Sequence, residues 1–432
     1  MLTTSHLTQV LKLRPRAITS NLASLVTRHK RLIVIAGAQA GPQQEPQSPG
    51  QRLQSAPWRA AMESGQPLPR VLSVQSHVVH GYVGNKCAVF PLQLLGMEVD
   101  PIYSVQFSNH TGYPSFKGSV FDGDQLRALA AGLEANGLLT HTHLLTGYIG
   151  SLSLLQSIAE LCSQLKRHSP NLTYVCDPVL GDEGRLYAPR ELVDAYAASI
   201  VPLASVLVPN QFEAELLTGG KPIASLDDAL AAAEALMERG PHTVVITSMA
   251  LPADPRVITL VAATRLPQRA DGRLGGAARL QMRIDRINAY FTGTGDLFAA
   301  LLLAWMHHHP GDLATALEKA VGGLQAVLAD TVRHCGPAAL AAERSSEVCA
   351  LRELRLIPCQ GQLQDPPIRY RCEVAEVERG GSAGLETGET GTGRRSAAAE
   401  VAAGTADVAA QLVGAAAAAA DARVVAASEA GA

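Results

Sequence analysis

Hydrophobic and polar positions between residues 70 and about 360 follow two alternating patterns. Short apolar runs that end in a polar or small residue are typical of buried strands. Such runs lie at 70–76, 144–148, 172–177, 205–210 and 243–248. Between them lie segments whose apolar positions recur with the helical period, as at 123–136 and 152–168. Strands separated by helices predict a single α/β domain with a mostly parallel sheet flanked by helices on both faces.

Two later apolar runs break this alternation. Residues 256–266 and 279–287 are separated only by a loop rich in Gly and Arg, which predicts a β-hairpin near the end of the sheet. In sheets of this class, ligands bind at the carboxyl ends of the parallel strands. Since the earlier runs all end in polar or small residues, the sequence places the candidate site along that edge.

Composition narrows the class of protein. The chain has 432 residues, a hydrophobic fraction of 47% and a formal net charge of -3, which argues against a general nucleic-acid binder. Its seven cysteines include no CxxC pair, so a zinc ribbon or a CxxC redox motif is not predicted. Scattered cysteines in odd number are typical of reduced thiols in a cytosol-like compartment.

The two ends of the chain differ from the middle. Residues 1–69 are basic and rich in Ser and Thr, with no acidic residue before Glu45. Both an organelle transit peptide and a disordered extension fit this composition, and 41–69 are typical of a linker. Residues 375–432 are rich in Gly, Glu and then Ala, which predicts disorder because large apolar residues are few. These shifts predict one folded domain over 70–374.

A glycine-rich run ends in an acid directly before the most apolar segment. Gly293, Thr294, Gly295 and Asp296 precede 297–306, which is too short to span a bilayer and predicts a buried helix. Free amides and the dipole at a helix start bind phosphate. An acid there would repel phosphate, unless it accepts the proton of an attacking hydroxyl during phosphoryl transfer. A simple helix cap is the competing interpretation of these four residues.

Acidic residues also follow two of the predicted strands. Asp177 and Asp182 come at the end of one strand, and Asn210 and Glu213 come at the end of the next. Kinases use Mg²⁺ to bridge nucleotide phosphates, and because Mg²⁺ takes oxygen ligands, Asp177 and Glu213 are candidate donors. A turn residue and a first-turn helix acid are the alternative interpretations. No GxxxxGK[ST] run occurs and no GxGxxG follows the first strand, which argues against a P-loop kinase and a dinucleotide enzyme.

Several segments together resemble one known family. They are 70–77, 81–85, 104–113, 145–148, 176–182, 210–215 and 293–296. Their residue types and order resemble the ribokinase-like superfamily and, within it, the pyridoxal kinase family, over roughly residues 70 to 360. The resemblance implies a three-layer sandwich with a mostly parallel central sheet flanked by helices.

The resemblance also implies roles for individual residues. Asp296 would be the catalytic base, and an anion hole would be formed by Gly293, Thr294 and Gly295. The ring of the vitamer would be held by Ser76, Val83, Thr111 and Tyr148. ATP would be bound by Asp177, Asp182, Tyr187, Asn210, Glu213, Thr247 and Ser248. Asp177 and Glu213 would also reach the metal, directly or through water. The segment 181–187 is shorter than the family's nucleotide-covering loop, which leaves open whether Asp182, Glu183 or Tyr187 reaches ATP.

The implied activity is ATP-dependent phosphorylation of the 5′-hydroxymethyl group of pyridoxal, and of pyridoxine and pyridoxamine. ATP and Mg²⁺ are the implied cofactors, with another divalent ion or an added monovalent ion left open. A homodimer is implied, and neither nucleic acid nor a membrane is an expected partner. Two alternatives stay open: a kinase for another heterocycle such as hydroxymethylpyrimidine, and a vitamer-binding protein without catalysis. We expect a cytosolic location, with a plastid or mitochondrion as the alternative if residues 1–69 direct import.

Overall fold

The computed structural model of the chain describes residues 67–375 apart from 253, 267–275 and 344, together with 59, 63 and 65. Most of the predicted extension and linker at 1–69, and nearly all of the predicted tail after residue 374, lie outside these described residues. The boundaries of the domain at 70–374 therefore remain a prediction.

The apolar runs form strands that pair into one ten-stranded sheet and one small hairpin. The strands are β1 Arg70–Val78, β2 Glu98–Phe107, β3 Gly118–Val120, β4 His143–Thr146, β5 Thr173–Cys176, β6 Gly181–Asp182, β7 Arg185–Leu186, β8 Val206–Leu207, β9 Thr243–Met249, β10 Val257–Arg265, β11 Ala277–Asp285 and β12 Glu373–Val374. The order across the large sheet is β12-β11-β10-β9-β8-β5-β4-β1-β2-β3, and β6 pairs with β7.

The centre of the sheet is parallel and its margins are antiparallel. Strands β2, β1, β4, β5, β8 and β9 pair in parallel. The predicted hairpin is confirmed, because β10 and β11 are antiparallel with Val257 opposite Asp285 and Arg265 opposite Ala277. Strand β10 also runs antiparallel to β9, and β3 runs antiparallel to β2. Parallel strands bring their carboxyl ends to one edge, where a ligand site is expected.

The connections between strands are largely helical. The helices are α1 Asn85–Leu94, α2 Gly123–Ala135, α3 Leu152–His168, α4 Glu191–Ala195, α5 Gln211–Leu217, α6 Leu226–Glu238, α7 Thr294–His308, α8 Leu313–Ala341, α9 Ser346–Leu351 and α10 Gln360–Gln364. Their starts are set by polar caps: the side chains of Asp122, Ser151 and Ser225 accept amide hydrogen bonds at α2, α3 and α6. Helix α8 bends at Gly336, whose φ of 71° is not helical.

Two hydrophobic cores lie on opposite faces of the sheet. Successive strand residues point to opposite faces, so Leu72 and Leu144 pack in one core and Val71 and Leu145 in the other, all 0% exposed. Each fully buried side chain of this kind contributes about 1.5–3 kcal/mol relative to exposure. Burial on both faces explains why these strands appear as continuous apolar runs.

Helix α7 has both ends close to the sheet. It begins beside Asp177, which follows β5, and its last turn lies beside His143, which opens β4. Every residue from Leu297 to Trp305 is buried, as the apolar run predicts. Within the described ranges, no helix is both long and apolar enough to cross a membrane.

Candidate active site

The start of helix α7 depends on a glycine with a left-handed backbone. Gly293 has a φ of 87°, a region that favours glycine. A Cβ at this position would lie 2.3 Å from the carbonyl oxygen of Tyr82, so a side chain would also collide with a neighbouring loop. Because the Leu297 amide is bonded to the Gly293 carbonyl, the helical hydrogen bonds begin only there. The preceding amides, including those of Thr294 and Gly295, form the kind of helix start that binds anions.

Asp296 lies in the first turn of α7 and is held by a backbone amide. The Gly84 N–H donates to its Oδ2 at 2.8 Å. Burial raises the pKa of Asp296, while the bond from Gly84 opposes that rise. The side chain remains partly exposed. A held, partly exposed carboxylate with a raised pKa is suited to accept a proton.

Gly84 brings a predicted vitamer contact next to Asp296. Its φ is 51°, and a Cβ there would lie 2.1 Å from the Ser76 carbonyl oxygen and 2.4 Å from Ser76 Oγ. The end of strand β1 therefore packs against the same residue that holds Asp296. An acceptor bound at Ser76 would lie close to the proposed base.

Asp177 is a buried acid that directly follows β5. It is 6% exposed, and none of the described residues donates a hydrogen bond to its carboxylate. A Cβ on Gly295 would lie 3.4 Å from Asp177 Oδ2, which places this carboxylate at the start of α7. Burial, then the charges of Glu213 and Asp296, raise the pKa of Asp177 well above its usual range. A buried acid beside two other acids is an electrostatic setting that a cation stabilises.

Glu213 is tied into the start of helix α5. One oxygen accepts from the Leu180 amide at 2.9 Å and the Gly181 amide at 3.4 Å, and the other accepts from the Asn210 amide at 2.9 Å. Asn210 Oδ1 in turn accepts from the Glu213 amide, which completes a capping box. Burial raises the pKa of Glu213 to about 8, although these amide bonds oppose the rise. A carboxylate offers about four lone-pair directions, so little room remains for a direct metal bond.

The donor set fits a metal that brings its own water and phosphate ligands. Among the described residues, no three His, Cys, Asp or Glu side chains are placed to hold a metal ion together. Mg²⁺ is commonly bound through one or two carboxylates plus water and substrate phosphates. Asp177 fits a direct or water-mediated ligand, and Glu213 fits contact through water.

The other predicted vitamer contacts lie along the same edge. Tyr148 follows β4, and its carbonyl accepts a hydrogen bond of 2.5 Å from Ser104 Oγ; burial raises its pKa. Val83 is 6% exposed and belongs to the loop that reaches Asp296. Thr111 is exposed in the loop after β2. Ser76 and Val83 both lie beside Gly84, whose amide is bonded to Asp296, and Thr111 lies on a separate loop.

The predicted nucleotide contacts come from neighbouring strands. Asn210 Nδ2 donates to the Gly181 carbonyl at 2.7 Å, which ties helix α5 to the β6–β7 hairpin. The Thr247 amide donates to the Pro209 carbonyl at 3.0 Å, so β9 ends beside the same segment. Ser248 follows and is exposed.

The β6–β7 hairpin carries Asp182 and precedes Tyr187. Asp182 Oδ1 accepts from the Glu183 amide at 2.8 Å, and burial raises the pKa of Asp182. The Tyr187 hydroxyl lies 3.2 Å from that of Tyr290, a residue just before the glycine-rich run. The segment after the β6–β7 hairpin therefore contacts the segment that precedes helix α7.

Known proteins resemble this chain over most of the folded region. The phosphomethylpyrimidine kinase family model matches residues 140–337. A pyridoxal kinase of Arabidopsis thaliana is 51% identical over 70% of this chain and 94% of its own length. The chain belongs to the pyridoxal kinase family. The human pyridoxal kinase is 45% identical over 71% of this chain and 98% of its own length.

A solved structure agrees with this membership. The pyridoxal kinase of Leishmania donovani, in complex with ADP and pyridoxamine, has a TM-score of 0.63 and 36% identity over 71% of this chain and 99% of its own. The predicted ribokinase-like fold and the predicted kinase family are confirmed. The phosphomethylpyrimidine model matches a shorter part of the chain than these relatives do, so the pyrimidine alternative is not favoured.

Sequence reasoning missed two residues that shape this site. Gly84 lay inside a matching segment, but its contribution is a backbone amide, which has no side-chain signature. Glu353, whose Oε2 accepts from the Tyr82 amide in the same loop as Gly84 at 2.9 Å, lies beyond the last motif, in a stretch with no recognisable pattern. The unassigned glycines at 81 and 84 were the one local signal, since glycines in a loop after a strand often permit close approach.

Proposed function

We propose that this chain transfers the γ-phosphoryl group of ATP to the 5′-hydroxymethyl oxygen of pyridoxal, and also of pyridoxine and pyridoxamine. The observation that carries the proposal is the carboxylate of Asp296 at the start of α7, bound to the Gly84 amide at 2.8 Å. The binding of ADP and pyridoxamine named for the Leishmania donovani relative supports this substrate pair.

In this reaction Asp296 accepts the proton of the substrate hydroxyl. The 5′-oxygen forms a bond to the γ-phosphorus while the bond between that phosphorus and the bridging oxygen to the β-phosphate breaks, and ADP leaves. The free amides of the Gly293–Gly295 turn offer hydrogen bonds to the oxygens of the transferring group. The raised pKa of Asp296 brings its basicity closer to that of a working general base.

A divalent cation, Mg²⁺ by our proposal, would neutralise charge on the nucleotide phosphates. Asp177 would hold it directly or through water, and Glu213 would hold it through water. Both carboxylates have raised pKa values, first because they are buried. Cation binding would favour their charged forms.

Substrate contacts follow from position along the edge of the sheet. We propose that Ser76, Val83, Thr111 and Tyr148 hold the vitamer ring. For ATP we propose Asp177, Asp182, Tyr187, Asn210, Glu213, Thr247 and Ser248. Because Ser76 packs against Gly84, a ring bound there presents its substituents towards Asp296.

Assembly and location are proposed on the resemblance and on composition. We propose a homodimer, which the molar mass in solution tests directly. We propose a cytosolic enzyme, with organelle import through residues 1–69 as the competing outcome. Imaging fusions with and without residues 1–69 distinguishes the two locations.

A substrate panel tests the proposed activity. ADP release is measured with pyridoxal, pyridoxine, pyridoxamine and hydroxymethylpyrimidine, and the phosphorylated position is read by ³¹P NMR. We expect turnover with the three vitamers at the 5′-oxygen and far less with the pyrimidine. Preferred turnover of the pyrimidine would favour the alternative kinase, and binding of vitamers without ADP release would favour a non-catalytic protein.

A further inference from the structure

Glu353 is an acid that three hydrogen-bond donors surround. It follows helix α9, and its side chain is 12% exposed. Its Oε2 accepts from the Tyr82 amide at 2.9 Å. Its Oε1 accepts from the Tyr113 hydroxyl at 2.9 Å and lies 3.1 Å from His110 Nε2. These donors come from two loops that are far apart in sequence.

The hydrogen bonds require a carboxylate at this position. The Gly112 amide donates to His110 Nδ1 at 3.1 Å, so the ring hydrogen of neutral His110 is on Nε2, the nitrogen that lies 3.1 Å from Glu353 Oε1. Burial alone would raise the pKa of Glu353, but the bonds from His110, the Tyr82 amide and Tyr113 outweigh it and lower that pKa. A glutamine would turn its NH₂ group towards either the Tyr82 amide or His110 Nε2–H, and two donors would face each other.

The first of the two loops connects Glu353 with Asp296. Gly81 approaches the carboxylate so closely that a Cβ would lie 2.3 Å from Glu353 Oε1. Three residues later, the Gly84 amide donates to Asp296 Oδ2 at 2.8 Å. Between them, the Tyr82 carbonyl packs against Gly293. This short segment therefore bridges Glu353 and the start of α7.

The second loop packs against the other side of the α7 entry. A Cβ on Gly112 would lie 3.2 Å from Thr292 Oγ1, just before the glycine-rich run. The Cys349 thiol donates to the Gly112 carbonyl at 3.2 Å. Next to Glu353, the Arg352 guanidinium donates to the carbonyls of Ala339, Leu340 and Ala342 near the end of α8, which fixes this stretch of chain.

We propose that Glu353 is a positioning residue for the reaction: it holds the Gly81–Gly84 loop so that the Gly84 amide keeps the Asp296 carboxylate in place. Glu353 acts through this loop and does not touch the substrate. The inference rests on the proposed role of Asp296. A displacement of about 1 Å at a reacting group can lower turnover by as much as 10²-fold.

The test is Glu353→Gln in the full-length protein, with Glu347→Gln as the matched control. Glu347 is an exposed acid in helix α9 of the same segment. We expect Glu353→Gln to lower kcat with pyridoxal about 10-fold or more while the KM for ATP changes less than about 3-fold. ADP affinity by calorimetry should match the wild type, and Glu347→Gln should match it in every measurement.

Two further variants keep the test decisive if Glu353→Gln does not fold. Glu353→Asp keeps the charge but is one methylene shorter. We therefore expect a selective loss of kcat that is smaller than the loss in Glu353→Gln. Tyr113→Phe removes one donor but leaves the Tyr82 bond, so kcat should stay within about 3-fold of the wild type.

Two results would overturn the proposal. One is wild-type kcat in Glu353→Gln or, if that variant does not fold, in Glu353→Asp. The other is a loss of kcat that is accompanied by weaker ADP binding and a lower melting temperature, which a purely structural role would produce. If Asp296→Asn stayed active, the proposed role of Asp296 as the base would fail instead. The failure of the Glu353 proposal and the failure of the proposed base are therefore distinguishable.

Discussion

The two ends of helix α7 bury ionisable groups in opposite ways. At its start, Asp296 lies with Asp177 and Glu213, and burial raises the pKa of all three. In its last turn, the ring of His307 lies 5.0 Å from that of His143, and burial lowers the pKa of both, to about 4 and about 3. One end gathers like charges, and the other holds neutral imidazoles.

The two ends also differ in the hydrogen-bond partners of individual buried side chains. His143 Nδ1 shares a hydrogen bond of 2.7 Å with Thr142 Oγ1, and His308 Nε2 lies 2.8 Å from the Leu95 carbonyl oxygen. Near neutral pH these rings are uncharged, although at the same end of α7 the buried His309 Nε2 and Trp305 Nε1 have no hydrogen-bond partner among the described residues. Asp177 has no described donor, and its like-charged neighbours raise its pKa further. Acids with raised pKa values at the edge where the parallel strands end are the better candidates for ligand contacts.

Asp177→Asn tests the acidic end of helix α7, where we expect the larger of the two effects. Asp177 is a buried acid whose pKa is raised first by burial and then by the charges of Glu213 and Asp296, so replacing it with a neutral amide should raise the melting temperature in EDTA by roughly 2 °C or more. The same change should raise the Mg²⁺ concentration needed for half-maximal turnover roughly 10-fold or more. Thermal melts with and without Mg²⁺ and a magnesium titration of ADP release measure the two effects.

The exposed acid Asp124 in helix α2 offers the control. Asp124→Asn should change neither the melting temperature in EDTA nor the magnesium requirement, although it loses its ion pair with Arg127 at 2.7 Å. If Asp177→Asn lowered stability in EDTA, the acids would not be repelling one another. The contrast between the two ends of the helix would then be wrong.

His143→Gln gives the smaller effect at the opposite end. The folded pKa of His143, about 3, is below its ordinary 6.5 because of burial and the nearby His307 and His308. Its neutral form therefore contributes stability above pH 6.5, which is lost as the pH falls towards 3. Between pH 7 and pH 5 this loss is on the order of 2 kcal/mol in the free energy of unfolding. Denaturant unfolding at the two pH values should show a smaller drop in His143→Gln than in the wild type.

The exposed His168, in the last turn of helix α3, is the matched control for that measurement. Unfolding of His168→Gln at the same two pH values shows what the loss of an exposed histidine does, against which the effect of His143→Gln is compared. An equal drop in His143→Gln and in the wild type would show that the buried imidazole has no part in acid sensitivity.

Local pattern was enough to predict most of the fold. The apolar runs at 70–76 and 243–248 form strands because both of their faces are buried, and 297–306 lies within one buried helix. The hairpin of β10 and β11 followed from two runs joined by one loop. These predictions succeeded because the spacing of apolar residues along a short segment indicates both its secondary structure and its burial.

The contacts that shape the site could not be predicted in the same way. Gly84 reaches Asp296 across 212 residues, and Tyr82 reaches Glu353 across 271. Such contacts depend on how the helices and loops pack on the sheet. Because every residue except proline has a backbone amide, the residue types do not show which amide will donate to a given side chain. The three amide bonds that the Glu213 carboxylate accepts were likewise not predicted. Its predicted metal role, directly or through water, stays a prediction.

The central claim is that Asp296 removes the proton of the acceptor hydroxyl. Single-turnover phosphoryl transfer to pyridoxal, measured for Asp296→Asn and the wild type, tests it most directly. Asparagine keeps the shape of the side chain but cannot accept the proton as a carboxylate does. We predict a rate lower by ~10²-fold or more with ADP affinity unchanged. A single-turnover rate close to that of the wild type would contradict the account.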